Sequence, residues 1–367
     1  MLQQYSEIIY GCFWIKVRIF VFISTRDVSQ YSFVKLKKNT LLNLLGEDLP
    51  DISVSRPSTR LHWGIPVPDD SSQTIYVWLD ALVNYLTVAG YPNEMRNWPP
   101  NCHVIGKDIL KFHAIYWPAF LMAADIEPPR KILCHSHWTV DDTKMSKSKG
   151  NVIDPNNLID LYSIDGIRYF LLREAVPHSD GNFSQRKIAN YLNAELSNTL
   201  GNLLNRLTSS KVNVHQTIPN IKFEMDSTYI SELGRTLISH LEELPKKVEM
   251  HFLDFNYYLG IDAIMETLRI TNEYIQKEEP WVLKKTDLNR LNYVLTLGLE
   301  SLRVTGILLQ PVVPKSSDLL LKKIGVPNSS RLWSDAENLV LHNNGMKNNF
   351  TSFSEERLVL FPKIENV

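Results

Sequence analysis

The sequence predicts an α/β domain followed by an all-α bundle. Between about residues 41 and 184, short apolar runs of strand composition alternate with helix-like segments. One of these runs, residues 132–134, leads into a lysine-rich loop, and another helix-like segment follows it. From about residue 185 the chain shows long stretches of helical period with short links, which is typical of a helical bundle.

Length and composition indicate a globular protein with more than one domain. The 367 residues exceed one ordinary core, so two or three domains are expected. A hydrophobic fraction of 44% is usual for a globular chain, and a net charge of −1 gives no general basic field. Any RNA contact must therefore be local. The three cysteines form no Cys-x-x-Cys pair, so neither a zinc knuckle nor a disulfide framework is indicated, and a reducing compartment is expected.

The first 40 residues form a divergent N-terminal segment. Residues 8–24 are largely apolar, but Lys16 and Arg18 interrupt them, which argues against a membrane span. These charges lie inside the apolar run rather than before it, which argues against a secretory signal. The segment is also too hydrophobic for a typical mitochondrial presequence. We expect either a buried strand here or a segment divergent from the rest of the chain.

The middle of the chain alternates strand and helix signals. Residues 74–80 have the composition of a strand, so a strand is predicted through residues 76–79. Residues 81–88 have the composition of a helix. Residues 103–105 predict a second short strand. Gly106, Lys107 and Asp108 then form a turn that can cap the following helix.

The helix after this turn has one aromatic face. The residues on it recur at helical spacing and are Ile109, Phe112, His113, Tyr116, Trp117 and Phe120. His113 is open to two interpretations, a core histidine with satisfied hydrogen bonds or part of a pocket wall. Asp108 is the N-cap of the helix, a ligand for an amino group or a ribose hydroxyl, or both at once.

The lysine-rich loop lies between a strand signal and a helix signal. Three lysines, two serines and one glycine occur within residues 144–150. Ligands of open α/β sheets bind beyond the carboxyl ends of strands, and a loop of lysines and small residues there suits polyphosphate oxygens. The alternative is a solvated basic turn or a basic localisation patch.

The bundle is predicted from four helical stretches. They cover residues 191–207, 230–247, 251–276 and 291–309, and Pro280, Pro311 and Pro314 punctuate them. Asn202, Arg206 and Trp281 are polar or amphipathic residues of this predicted bundle. On spacing alone, surface solvation of Asn202 and Arg206 and core packing of Trp281 are the simpler interpretations.

Lys144-Met145-Ser146-Lys147-Ser148 reproduces the KMSKS signature of class I aminoacyl-tRNA synthetases. The chain resembles methionyl-tRNA synthetase from about Asp48 nearly to its end. The segments that carry the resemblance occur in the family's order and are residues 62–68, 78–81, 106–109 with His113, 144–148 and 165–170. The sequence Gly-Ile-Pro-Val-Pro at residues 64–68 and the absence of paired cysteines resemble the bacterial-type form found in mitochondria.

The resemblance implies a partial Rossmann-type nucleotide-binding domain followed by an anticodon-binding bundle. The implied domains are a divergent segment at 1–40, the C-terminal half of the catalytic domain at 41–184, the anticodon-binding domain at 185–345 and a tail at 346–367. It also implies methionine–tRNA ligase activity with methionine, ATP accompanied by Mg²⁺, and tRNA(Met) as substrates. The implied location is the mitochondrial matrix, and neither a membrane partner nor a protein-bound metal is expected.

The resemblance also assigns roles to residues. Lys144 and Lys147 are the implied catalytic residues. The implied ATP-binding residues are Gly106, Asp108, Lys144, Met145, Ser146, Lys147 and Ser148. The implied methionine-binding residues are Trp78, Ala81, Tyr85, Asp108, Ile109 and His113. Asn202, Arg206 and Trp281 match the positions that read the CAU anticodon.

The second signature of class I synthetases, His-x-Gly-His, is formed by none of the ten histidines. His135 and His137 lie just before the lysine loop, which is the wrong element for it. The expectation is that the first half of the nucleotide-binding fold is missing and that this chain alone does not form methionyl-adenylate. A non-catalytic tRNA-binding remnant is therefore an open alternative, and a different nucleotidyltransferase with a similar loop is a third.

Overall fold

The computed structural model describes residues 53–140, 142–145, 150–176, 179–219, 221–342, 353 and 358–365, with only the backbone for Lys144 and His342. The expected strand within residues 1–40 lies outside these residues, as do Ser146, Lys147 and Ser148. The chain divides into a first unit, residues 1–137 with 177–180, and a second unit, residues 138–176 with 181–367. The predicted domain boundaries at 40, 184 and 345 differ from this division and stay predictions.

Two small sheets form the strand framework of the first unit. The antiparallel sheet has the order β1-β3-β2, with β1 at Ser55–Pro57, β2 at Pro66–Val67 and β3 at Asp70–Ile75. The second sheet is a parallel pair, β4 at His103–Gly106 and β5 at Ile132–His135. Gly106 lies opposite His135 in this pair, so the two strands end together. The strands predicted at 103–105 and 132–134 are confirmed.

Helix α1, Val77–Ala89, corrects the prediction of a strand through residues 76–79. Tyr76 is the extended N-cap, and Leu79, Leu82 and Leu86 are buried at helical spacing. Burial of these leucines favours the helix and outweighs the strand propensity of the segment. The helix ends at Gly90, whose φ of 96° suits glycine, and a Cβ there would lie 2.2 Å from the carbonyl oxygen of Glu94.

The predicted aromatic helix is present but is not a regular α-helix. It begins as a 3₁₀ turn at Lys107–Ile109, passes through a π-helical segment at Phe112–Tyr116 and continues as α2, Trp117–Ala123. The wider π turn rotates the chain, so Ala114 and Ile115 are buried together with His113 and Tyr116. Ile115 packs with Ile105 and Ile132 of the parallel pair, which fixes the helix against the sheet.

A three-stranded sheet with the order β7-β6-β8 opens the second unit. Its strands are β6 at Trp138–Val140, β7 at Thr143–Lys144 and β8 at Gly181–Phe183. Helix α3, Pro155–Glu174, follows the lysine loop and has a non-helical residue, Ser163, at a kink. A strand before residues 146–149 and a helix after them are confirmed, although that strand is β7, which includes Lys144.

A helical bundle makes up the rest of the second unit. Its first helix runs through α4, a π-helical segment and α5, which are Gln185–Tyr191, Leu192–Gly201 and Asn202–Leu207. The longer helices are α6 at Glu232–Leu253, α7 at Tyr257–Glu278 and α9 at Leu288–Leu308. The shorter helices are α8 at Pro280–Thr286, α10 at Pro314–Lys323 and α11 at Trp333–Glu337.

The helix boundary predicted between residues 247 and 251 is wrong. Val248 is buried in the same periodic row as Leu241 and Leu244, so the helix continues to Leu253. The turn comes instead at residues 254–256, where Phe255 has a positive φ of 60°. No helix in the described part of the chain combines the length and the apolarity that crossing a bilayer requires.

The bundle core includes α3 and parts of the predicted tail. Tyr169 and Phe170 of α3 are fully buried in the same cluster as the bundle leucines. Asp165 accepts hydrogen bonds from the backbone N–H and the hydroxyl of Ser316 on α10, at 2.6 and 2.7 Å. Phe353 and Phe361 are buried in this cluster as well. The second unit therefore extends on both sides of the predicted range 185–345.

Candidate functional site

One face of α1 carries three of the predicted methionine-binding residues. Trp78, Ala81 and Tyr85 are spaced by three and four positions, so they lie in one row along the helix. The indole of Trp78 stacks on Phe112, with ring centroids 3.9 Å apart and planes within 10°. Phe112 was not predicted as a site residue, although its place on the aromatic face was a signal. The stack forms a flat, apolar wall.

Tyr85 connects this wall to His113. The Tyr85 hydroxyl lies 3.0 Å from His113 Nε2, and His113 Nδ1 lies 3.0 Å from the carbonyl oxygen of Ile109. Because a carbonyl only accepts, Nδ1 carries the proton and Nε2 accepts from Tyr85. Burial lowers the pKa of His113, which keeps it neutral in this arrangement. Both ring nitrogens have partners, so His113 is a satisfied buried histidine that also orients Tyr85.

A second histidine, His103 at the start of β4, lies behind this pair. Its ring centroid is 4.2 Å from that of Tyr85 and 6.4 Å from that of His113. Burial, and secondarily the proximity of His113, lowers the pKa of His103 to about 4. Its Nδ1 is buried without a hydrogen-bond partner among the described residues. Nothing in the sequence marked this histidine as a site residue, since its strand was predicted only as apolar.

A cavity of about 170 Å³ adjoins the Trp78–Phe112 stack. The other residues that line it are Ser53, Val54, Arg56, Tyr76, Leu79, Leu82, Tyr116 and Phe120. Of the predicted methionine-binding residues, Trp78 is the one in its lining, whereas Tyr85 and His113 form a separate hydrogen-bonded pair. The Trp78–Phe112 stack thus lines a small, largely apolar cavity.

Polar residues follow the two parallel strands of the first unit. Asp108 comes two residues after β4, and its carboxylate lies 3.5 Å from Nε2 of His137, which comes two residues after β5. The Asp108 side chain is 64% exposed. The N-cap of the 3₁₀ turn is Gly106, so the interpretation of Asp108 as the N-cap is wrong. Asp108 instead offers a carboxylate at the strand ends, where ligands of α/β sheets bind.

The lysine loop of the second unit begins at a fixed turn. Asp142, with a φ of 59°, lies in the turn between β6 and β7. Its backbone N–H donates to Asn182 Oδ1 at 3.2 Å, and Asn182 Nδ2 donates to its carboxylate at 2.8 Å. Met145 is half-buried. This reciprocal pair fixes the chain directly before the loop, and Asn182 is a positioning residue that the sequence did not indicate.

The three predicted anticodon-reading residues lie on α5 and α8. Asn202 is exposed and Arg206, four residues later on α5, is half-buried. Trp281 is 37% exposed at the start of α8, so core packing is wrong for it. Lys284 of α8 donates to the carbonyl of Lys211, in the segment after α5, at 3.1 Å. This bond brings α8 beside the end of the helix that carries Asn202 and Arg206.

The chain matches the family model described as tRNA synthetases class I (M) over residues 20–208, which is more than half of its 367 residues. The chain belongs to this family. A second model, the anticodon binding domain of methionyl tRNA ligase, matches residues 226–366. The α/β catalytic fold and the helical anticodon-binding domain predicted from the sequence are therefore confirmed.

Curated relatives of this synthetase family include mitochondrial methionine–tRNA ligases. The human protein is 49% identical over 307 residues, which cover 80% of this chain and 52% of the relative. The methionine–tRNA ligase of Rickettsia typhi is 42% identical over 306 residues, covering 81% of this chain and 59% of the relative. This chain thus spans about half the length of the curated relatives it matches.

Solved structures of the family share the fold. Mycobacterium tuberculosis methionyl-tRNA synthetase in complex with methionyl-adenylate is 34% identical, with a TM-score of 0.81 over 92% of this chain and 65% of that chain. The apo form of the same enzyme gives a TM-score of 0.80 at 32% identity. At these values the chain has the fold of the synthetase family.

Proposed function

We propose that the enzyme that contains this chain is a methionine–tRNA ligase. In the first step, the carboxylate of methionine attacks the α-phosphate of ATP, forming methionyl-adenylate and releasing pyrophosphate. In the second step, the methionyl group passes to the terminal ribose of tRNA(Met), and AMP leaves. The observation that carries this proposal is the wall formed by the Trp78–Phe112 stack and the Tyr85–His113 pair.

The wall suits the side chain of methionine. A thioether is apolar and polarisable and packs well against aromatic rings, which this wall supplies together with Ala81 and Ile109. His113 is neutral and buried, so it presents no charge to an apolar ligand. Asp108 directly precedes Ile109 in the chain and offers a carboxylate for the ammonium group or for a ribose hydroxyl.

ATP is assigned to the lysine loop and to the turn after β4. Lys144 and Lys147 would stabilise the charge that develops on the phosphates, with Met145, Ser146 and Ser148 forming the loop around them. Gly106 and Asp108 would contact the nucleoside part. Mg²⁺ would arrive bound to ATP. Among the described residues, no group of three or more His, Cys, Asp or Glu side chains is arranged to hold a metal ion.

tRNA(Met) is assigned to the surface of α5 and α8. Unstacked bases of RNA loops are recognised by aromatic stacking and by hydrogen bonds to base edges. An exposed tryptophan, an exposed asparagine and an arginine supply these groups at Trp281, Asn202 and Arg206. By analogy with the mitochondrial relatives, we place the activity in the mitochondrion and specifically in its matrix.

Two assays on the enzyme that contains this chain test the function. Methionine-dependent exchange between ATP and pyrophosphate reports on adenylate formation, and charging of tRNA(Met) reports on transfer. Both activities are expected in the enzyme that contains this chain. Binding of tRNA(Met) without ATP–pyrophosphate exchange would contradict the ligase proposal and support the alternative of a non-catalytic tRNA-binding remnant. Exchange that depends on another amino acid would contradict the methionine pocket.

Trp281→Ala is expected to weaken tRNA charging while leaving adenylate formation unchanged. A base stacked on an aromatic ring contributes about 1–3 kcal/mol, so kcat/KM for tRNA(Met) should fall about 5- to 150-fold. The measurement compares tRNA charging with ATP–pyrophosphate exchange. Leu332→Ala, which also truncates an exposed apolar side chain of the second unit, is the control. Equal losses in both assays would show that Trp281 serves packing instead.

Tyr85→Phe is expected to raise the KM for methionine about 2- to 10-fold with a smaller change in kcat. The substitution keeps the ring but removes the donor to His113 Nε2, and a neutral hydrogen bond contributes about 0.5–1.5 kcal/mol. Steady-state exchange at varied methionine concentration measures the effect. Tyr91→Phe, in the turn after the same helix, is the matched control. An unchanged KM would separate the Tyr85–His113 pair from methionine binding.

A further inference from the structure

Lys107 and Asp180 form an ion pair that neither the predicted site nor the proposed mechanism uses. Lys107 Nζ lies 2.7 Å from each carboxylate oxygen of Asp180. Both side chains are partly covered, with exposed fractions of 37% and 39%. The pair joins the turn after β4 to a segment 73 residues further along the chain.

Asp180 also holds the turn after β5. Its Oδ1 accepts the backbone N–H of His137 at 3.0 Å. The hydrogen bond from Lys107, and next the one from His137, lower the pKa of Asp180, so its carboxylate stays charged at neutral pH. One carboxylate therefore ties together the two turns that follow the parallel strands β4 and β5.

These two turns carry the polar groups of the candidate site. Asp108 is the residue after Lys107, and His137 Nε2 lies 3.5 Å from the Asp108 carboxylate. The turns also approach closely at Gly106, where a Cβ would lie 3.9 Å from both His135 Cε1 and His137 Nε2. A shift of either turn would change where the Asp108 carboxylate lies.

We propose that Lys107 and Asp180 are positioning residues that hold Asp108 in place for the aminoacyl-adenylate. This inference rests on the proposed function, because it assigns Asp108 to the adenylate. Lys107 acts through Asp180 and not through a phosphate: its ammonium is already paired with both carboxylate oxygens. Direct contact between Lys107 and the phosphates of ATP is the competing role, and it makes different predictions.

A double-mutant cycle in the enzyme that contains this chain separates the two roles. The variants are Lys107→Met, Asp180→Asn and the combination of both. The probe is a non-hydrolysable sulfamoyl analogue of methionyl-adenylate, which has no β- or γ-phosphate. Its Kd is measured by calorimetry, and the KM of ATP is measured in parallel. Thermal melting of each variant verifies folding.

Positioning predicts that each single substitution weakens the analogue about 10-fold and that the double variant is no weaker than the worse single variant. Lys107→Arg should bind the analogue more tightly than Lys107→Met and close to the wild type, because arginine keeps the charge and pairs with carboxylates through two hydrogen bonds. Glu94→Gln is the matched control. Glu94 pairs with Arg96 in the same unit, where both side chains are largely exposed. This control should bind the analogue like the wild type.

Two results would overturn the positioning role while leaving the proposed function intact. One is a Lys107→Met variant that binds the analogue normally but has a raised KM for ATP, which would assign Lys107 to the phosphates. The other is a double variant whose loss equals the product of the single losses. If the wild-type enzyme binds neither the analogue nor methionine, the proposed function itself fails, and this inference fails with it.

Discussion

Glu300→Ala is expected to destabilise the second unit by about 3–5 kcal/mol. Glu300 and Arg303 on α9 are buried, with exposed fractions of 0% and 2%, and two hydrogen bonds of 2.7 Å join them. Glu300 also accepts the backbone N–H of Val340 at 2.8 Å. Removing the carboxylate leaves the Arg303 charge buried without its counter-ion, and breaking a buried pair in this way typically costs about 3–5 kcal/mol.

Urea unfolding followed by far-UV circular dichroism measures this loss as the change in the free energy of unfolding. Glu273→Ala is the control, since Glu273 is an exposed glutamate on α7 that pairs with Lys277, and exposed pairs contribute at most about 1 kcal/mol. The double variant Glu300→Leu, Arg303→Met should recover much of the stability, because apolar residues replace a buried pair at little cost. A loss below about 1 kcal/mol in Glu300→Ala would show that water reaches Arg303.

Helical period predicted the aromatic helix of the first unit but not its π turn. Spacing of three and four residues identified the face with His113, Tyr116 and Trp117, all of which are buried. The π segment adds a residue to the turn, so Ala114 and Ile115 become buried too. This rotation depends on packing against β4 and β5, which periodicity along one helix does not contain.

Local composition misled at α1 for a related reason. Val77 and Trp78 favour strands, but Leu79, Leu82 and Leu86 recur at helical spacing and are the residues of the segment that are buried. The leucine spacing was visible in the sequence and carried more information than composition. The Lys107–Asp180 ion pair and the Asp142–Asn182 hydrogen-bonded pair could not be predicted, because they join residues 73 and 40 positions apart.

The family signature predicted the lysine loop from five consecutive residues, whereas the structure describes what surrounds it. Asp142 and Asn182 fix the chain before the loop, and Asp154 caps α3 after it by accepting the N–H of Asn156 at 2.9 Å. The ends of the loop are thus anchored on a strand and a helix.

Lys147→Ala is expected to lower the rate of methionyl-adenylate formation about 10²- to 10³-fold. A pre-organised group that meets developing charge in a transition state contributes about 3–4 kcal/mol, and alanine removes it. The affinity for methionine should change little, because the proposed methionine wall consists of residues from α1 and from the helix after β4. The pre-steady-state rate of adenylate formation and the Kd of methionine are the two measurements.

Lys222→Ala is the control for Lys147→Ala, since Lys222 is an exposed lysine of the second unit that pairs with Glu224. It removes the same charge from the chain without touching the loop. If both variants lost the same amount of activity, the effect would come from net charge. An unchanged adenylation rate in Lys147→Ala would favour the alternative interpretation of residues 144–150 as a solvated basic turn. A loss confined to methionine affinity would place Lys147 at the amino acid and not at the phosphates.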